Sequence, residues 1–138
     1  MVWIQENGTT LLLIAGLIMF VVRGPVLARL AGVEDVTVHE LAKRLASATP
    51  PLLLDVRSQG EFAAGHAPQA VLIPLSELRR HVDALRQRPD ARCIAVICQS
   101  GNRSVNGAVL LKRQGFEQVL NVVGGMNNWK VQGYPVSR

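Results

Sequence analysis

A chain of 138 residues that is 49% apolar holds one compact domain with a core of its own and has no length for a second. Its net charge is +5, but the fifteen Lys and Arg are scattered and the whole chain has two Trp and one Tyr, so no basic stripe interleaved with stacking aromatics exists to bind nucleic acid. The two cysteines, Cys93 and Cys98, stand five apart, an odd spacing that points them to opposite faces of one strand, so no disulfide and no oxidising compartment is expected.

Residues 8–22, "GTTLLLIAGLIMFVV", carry no charge and are not the material of a soluble core. A helix needs about 20 residues to cross the hydrocarbon, and the flanks supply the difference: Trp3 at one headgroup boundary, Arg23 snorkelling at the other, and Val26 and Leu27 extending the apolar length. A cleaved signal peptide is the alternative, with "VLA" at 26–28 as its cleavage site. Against it, the leading "MVWIQEN" carries an acid and no Lys or Arg, while Arg23 and Arg29 follow the apolar run. That order predicts a retained, single-pass anchor of the cell inner membrane, residues 8–27 in contact with lipid and the remainder on the cytoplasmic side. Residues 1–28 form the anchor, 29–36 a linker and 37–138 the folded domain.

Beyond the linker, short apolar runs alternate with helical stretches. Thr37 with Glu40 is a capping box that opens a helix carrying Leu41 and Leu45, and Pro50 and Pro51 stop it. "LLLDV" (52–56) reads as a buried strand, and Ser58 with Glu61 is a second capping box. "AVLIP" (70–74) is a strand, and "SELRRHVDALRQ" (76–87) spaces Leu78, Val82 and Leu85 as one amphipathic helix. "RCIAVIC" (92–98) is apolar on both faces, as a central strand covered on each side must be. "SVNGAVLLKRQ" (104–114) is a helix closed by Gly115, "QVLNVV" (118–123) a fourth strand, and "GGMNNWKVQG" (124–133) a turn with a short final helix. The alternation predicts an α/β fold: a parallel sheet with helices on both faces, whose ligands bind beyond the carboxyl ends of the strands.

Cys98 stands at that end of the central strand. The loop "CQSGNRS" must turn sharply through Gln99, Ser100, Gly101 and Asn102, and Gly101 and Asn102 are the types that tolerate positive φ. Main-chain N–H groups curled inward, with the positive end of the following helix, favour an anion. A thiolate is such an anion, and a Cys at a helix N-terminus beside Arg titrates at about 3.5–7.5 instead of about 8.5. Cys98 is therefore the expected nucleophile, with Gln99, Ser100, Gly101, Asn102, Arg103 and Ser104 as its substrate-binding loop. This chemistry asks for a sulfur that solvent reaches and that is ionised near neutral pH. Cys93, set among Ile94, Ala95 and Val96, reads as core.

Three stretches in order, "LLDVRSQGEFAAGHAPQAVLIPLSEL", "CQSGNRS" and "GFEQVLNVVGGMNNWKVQGYPV", resemble the rhodanese (thiosulfate sulfurtransferase) family. The resemblance covers about residues 37–136 and implies an α/β sandwich around a five-stranded parallel sheet, with "DVTV" (35–38) as the fifth strand. It implies double displacement: Cys98 takes the outer sulfur of thiosulfate or a related persulfide as a Cys98 persulfide, and a thiol or cyanide removes it. The N–H groups of residues 99–103 would hold the terminal sulfur and Arg103 would attract the anionic donor. Family members that act on phosphate or arsenate resemble Cys-x5-Arg with a His before the Cys; here the loop is Cys-x4-Arg, with Ile97 in that place. A phosphatase or arsenate reductase, or a non-catalytic recruitment module, remain the alternatives. The sequence departs from the family's "GHIPGA" at "GHAPQA", where Ala67 and Gln69 predict a looser turn.

Other polar residues read as scaffold. Asp55 ends its strand on nearby N–H groups, Arg57 pairs with a carboxylate such as Glu61, His66 is structural, and His39 and His81 are solvated. Trp129 packs under the loop. No His, Cys and carboxylate cluster has the spacing of a metal site, and no cofactor is called for. Arg79, Arg80, Arg86 and Arg88 are either the wet face of their helix or a surface for anionic lipid.

Overall fold

A computed structural model describes the backbone of residues 2–138 and the side chains of residues 7–24 and 26–138. Trp3, expected at a headgroup boundary, falls outside the described side chains. Helix α1 (Val2–Ala31) is followed by β1 (Glu34–Val36), α2 (Val38–Leu45), β2 (Leu52–Asp55), α3 (Gln59–Ala64), β3 (Val71–Leu72), α4 (Leu75–Leu78), α5 (Val82–Arg86), β4 (Cys93–Ile97), α6 (Asn102–Arg113), β5 (Gln118–Val122) and α7 (Gly125–Val131). The five strands form one parallel sheet in the order β1-β5-β4-β2-β3.

Each central strand is buried on both faces, and its side chains alternate between two apolar clusters, as the two-residue period of a strand requires. Leu52, Leu54, Ile94, Val96 and Val119 face Leu78, Val82, Leu85, Ala108 and Leu111. Leu53, Ala95, Ile97, Leu120 and Val122 face Leu41, Met126 and Trp129 of α2 and α7. Cys98 belongs to the first cluster and Cys93 packs against the second, and both are free, so the odd spacing does separate them.

The caps form where the sequence puts them. Thr37 Oγ1 accepts the Glu40 N–H, but this is half of the expected box, since the Glu40 carboxylate accepts from Arg44; Ser58 with Glu61 makes a complete capping box. The expected single helix over 76–87 is instead α4, a 3-10 turn over Arg79–His81 and α5. At the break the His81 ring donates to the Glu77 carbonyl that a continuous helix would offer to the His81 amide. The turn at Ala67 and Gln69 is not loose: Ala70 N donates to Ala67 O, and His66 exchanges both main-chain hydrogen bonds with Ser137. His66 is structural, its Nδ1 on Phe62 O at 2.8 Å and its ring stacked on Phe62.

The fifth strand lies at Glu34–Val36 rather than at 35–38, so it occupies part of the expected linker. The helix fills more of it. Helix α1 runs unbroken to Ala31, and Ala28 and Val33 are buried in the first core cluster. It leans on α6 where Gly24 meets Val105, whose Cγ1 lies 3.9 Å from the position of an added Cβ. Its apolar side chains between Leu11 and Val22 project outward, Leu12 and Leu13 at 74% and Phe20 at 76% exposure.

Candidate active site

The carboxyl ends of β2, β4 and β5 meet at one pole of the sheet, and the loop after β4 is built there from main-chain contacts. Gly101 is left-handed (φ +104), and it alone makes the sharp turn into α6: Asn102, the other expected positive-φ residue, is the first residue of that helix. Gly125, also left-handed, lets the start of α7 close on the loop from the other side, where Met126 N donates to Cys98 O at 2.8 Å and Asn127 N to Gln99 O at 3.0 Å.

Cys98 Sγ accepts the Gly101 N–H at 3.1 Å and lies 3.4 Å from Ser104 Oγ, to which the thiol donates. Burial pushes this thiol up. The Ser104 hydroxyl and the main-chain N–H groups of Ser104, Gly101 and Ser100 outweigh it, and the net position is below the ordinary thiol value. The demand for ready ionisation is met in direction. The demand for solvent access is not: Cys98 is 1% exposed, buried among the side chains of the first core cluster. Cys93 contrasts with it, since burial moves its thiol upward and neighbouring Arg44 only partly offsets that.

The expected loop residues take different parts. Ser100 and Gly101 turn N–H groups toward the sulfur, and Ser104 sits fully buried beneath it. Gln99 turns away from the sulfur, its amide accepting from Arg57 Nη1 at 3.0 Å and donating to Asn127 Oδ1 at 2.6 Å. Asn102 faces a groove shared with Phe20 and Val21 of α1. Arg103 is held in a two-pronged ion pair by Glu61, Nη1 to Oε1 at 2.7 Å and Nη2 to Oε2 at 2.8 Å. That pair holds the Glu61 carboxyl at about 2, down from 4.5, so its contribution is complete above about 4.5 and is lost as the pH falls toward about 2.

Glu61 is thus the partner of Arg103, and the expected Arg57–Glu61 pair does not form. Arg57 turns back on Asp55, Nη2 to Oδ2 at 2.8 Å and Nε to Oδ1 at 3.0 Å, and also donates to Gly65 O. Asp55 accepts the Arg57 N–H as well, which ends β2 as expected. Both side chains are buried, and Arg57 carries the order of this pair into the loop through Gln99. Trp129 is 2% exposed in the second apolar cluster with Ile97 and Met126, and its indole N–H donates to Pro135 O. Among the described residues no group of His, Cys, Asp and Glu has the makings of a metal site.

Sequence reasoning missed Asn121. Its Nδ2 donates to Asp35 Oδ1 at 3.1 Å, which aims its Oδ1 at Ser104; Ser104 Oγ donates to that oxygen at 2.7 Å. A polar residue in the otherwise apolar run "VLNVV" (119–123) was the signal. The hydroxyl has one proton, so it serves either Asn121 or an ionised sulfur. Asn121→Ala is therefore expected to raise the rate of Cys98 alkylation several-fold below the thiol's midpoint, and Ser104→Ala to lower it. Iodoacetamide kinetics followed against pH check both, and a slower Asn121→Ala protein would contradict the competition.

Comparison with known proteins agrees with this geometry. The profile of the rhodanese-like domain matches residues 37–132. A sulfurtransferase of Allochromatium vinosum is 33% identical over 106 residues, covering 75% of this chain and 94% of that protein. YrkF of Bacillus subtilis, whose given name is that of a sulfur carrier, is 33% identical over 99 residues, covering 72% of this chain; the chain spans only 52% of that relative's length. The crystal structure of a rhodanese-related protein from Thermoplasma volcanium superposes with a TM-score of 0.66 at 32% identity, over 75% of this chain and 97% of that one. With a parallel five-stranded sheet, a cysteine loop closed by the start of α7 and a profile match across most of its length, the chain belongs to the rhodanese-like domain family.

Proposed function

We propose that the chain is a sulfurtransferase that carries a sulfane sulfur on Cys98. The observation that carries this reading is the Cys98 sulfur itself, which receives the Gly101 N–H at 3.1 Å at the tip of the central strand. N–H groups already aimed at a sulfur anion need no rearrangement when charge develops there, which is how a fixed dipole cage assists transfer. The thiolate attacks the outer sulfur of thiosulfate; the new S–S bond forms as the old one breaks, and sulfite leaves with the electron pair. The Cys98 persulfide anion then loses its outer sulfur to cyanide as thiocyanate, or to a thiol as a new persulfide, and the thiolate returns. The four residues between Cys98 and Arg103 make a loop one residue shorter than the Cys-x5-Arg of family members that act on phosphate or arsenate, which supports one extra sulfur over a tetrahedral oxyanion.

Access to the covered sulfur is the step this reading adds. Arg103 is the cation at the rim, and Glu61 occupies it. A dianionic donor competes with the Glu61 carboxylate for the same guanidinium, and the loop's rim parts as that pair exchanges. Glu61→Gln weakens the pair and is expected to speed the reaction of Cys98 with iodoacetate, an anion, by up to about fivefold, the worth of a partly exposed ion pair. Slower alkylation than in the parent would contradict this entry route.

The exposed apolar length of α1, whose most apolar 18 residues within Asn7–Ala31 have a mean hydropathy of 2.3, supports a retained bilayer anchor. With Arg23 and Arg29 after the apolar run, the domain stands on the cytoplasmic side of the inner membrane. Extraction of cell membranes at alkaline pH tests it: the chain is expected to stay in the pellet at full length. The sulfur chemistry is tested on intact protein, which is expected to gain the mass of one sulfur with thiosulfate and to lose it again to cyanide, with thiocyanate released in equal amount. An unchanged mass would overturn the assignment.

A further inference from the structure

Helix α1 does not stand clear of the domain. Where it leans on α6 it leaves a groove of about 400 Å³, with Gly24, Leu27 and Val109 on its apolar side and Arg79, Arg113 and Gln114 on its polar side. The arginines of the α4–α5 segment do not all have the same standing. Arg80 is paired with Glu77, Arg86 with Asp83 and Arg88 with Asp90. Among the described residues, Arg79 and Arg113 have no carboxylate partner, and these two converge on the groove from different helices. Arg113 also borders a second, smaller hollow beside Leu27, Leu30 and Lys112, so the cationic rim continues along α1.

The position along α1 matters as much as the charge. The uncharged run ends at Val22, Arg23 follows, and the groove begins at Gly24. It therefore lies where hydrocarbon gives way to headgroups if α1 spans a bilayer. A site with two unpaired guanidinium groups and a side-chain amide at that level, above a strip of Gly, Leu and Val, matches a phosphate ester with acyl chains beneath it. We propose that this groove binds the headgroup of an anionic phospholipid, with Arg79 and Arg113 on the phosphate, and that the bound lipid fixes the domain against the leaflet. The proposal rests on the reading of α1 as a membrane anchor and is independent of the chemistry at Cys98.

The test uses the full chain reconstituted in phosphatidylcholine bilayers containing trace spin-labelled phosphatidylglycerol or spin-labelled phosphatidylcholine, with the fraction of immobilised label as readout. Phosphatidylglycerol is expected to be preferred, and Arg79→Gln and Arg113→Gln each to reduce the preference by about fivefold, whereas Arg80→Gln and Arg88→Gln leave it in place. Equal immobilisation of the two lipids would overturn the proposal, as would an equal loss in Arg80→Gln, which would reveal a diffuse charge effect. Inorganic phosphate is expected to compete no better than chloride at matched ionic strength; stronger competition would make the groove a site for free anions and not for lipid. A chain that both bilayers fail to retain would refute the anchor and the lipid site together, whereas retention without preference would refute the lipid site alone.

Discussion

Cys98→Ser is expected to abolish the gain of about 32 Da proposed for the intact protein with thiosulfate, and with it about a thousandfold or more of the transfer rate, while Cys93→Ser is expected to be labelled as the parent is. Serine keeps the size of the side chain and its hydrogen bonds, so the fold is retained and the loss is one of nucleophilicity. The two thiols make the comparison internal. Cys98 has three main-chain N–H groups and a hydroxyl that favour its anion. Cys93, at the other end of β4 and on the opposite face of the sheet, is driven toward its neutral form by burial. Intact-mass measurement on both variants reads the outcome, and labelling of Cys93 in the Cys98→Ser protein would break the assignment.

Gly125→Ala is expected to cost about 4 kcal/mol in chemical denaturation, at the severe end for one methyl group. An added Cβ would lie 2.3 Å from Cys98 O and 2.9 Å from both C and O of Gln99, all main-chain atoms that cannot rotate away. The residue is also left-handed at φ +55, a region an alanine enters only under strain. Since the same contact seats Met126 N and Asn127 N on the loop carbonyls, the thiol of whatever protein still folds is expected to titrate higher than in the parent. Gly60→Ala is the control. Nothing lies within 4 Å of its added Cβ, and in the exposed helix α3 the change is expected to be neutral or to stabilise by up to about 1 kcal/mol. Equal losses in the two variants would show that the close approach at Gly125 carries no special weight.

Much of this architecture is written in local patterns. Caps at Thr37 and Ser58, unbroken apolar runs at 52–54 and 93–97, and glycines at 101 and 115 act through neighbours in the chain, so they can be read without the fold. The loop's membership was readable for the same reason. What stayed hidden depends on partners far apart in sequence. Arg103 and Glu61, like Arg57 and Gln99, are 42 residues apart, and only the pairing of β2 with β4 brings them together. Given Arg57 and Glu61 alone, nearness in sequence suggests a pair, and the better-placed Asp55 wins because it is already ordered at the end of β2. Asn121 and Asp35 lie 86 apart and meet across β1 and β5. The burial of the Cys98 side chain is also a product of packing, since it lies in the first core cluster with residues of β2 and α6 that are remote in sequence.

The joint between α1 and the sheet has its own consequence. With Ala28 embedded among core side chains, there is no swivel between the two parts, and the bearing of the thiol relative to the apolar segment is a matter of screw geometry. One residue inserted just ahead of Gly24 would turn the catalytic pole by about 100° around the helix axis and shift it by about 1.5 Å along that axis. The length of this helix, counted residue by residue, thereby sets which way the pole faces.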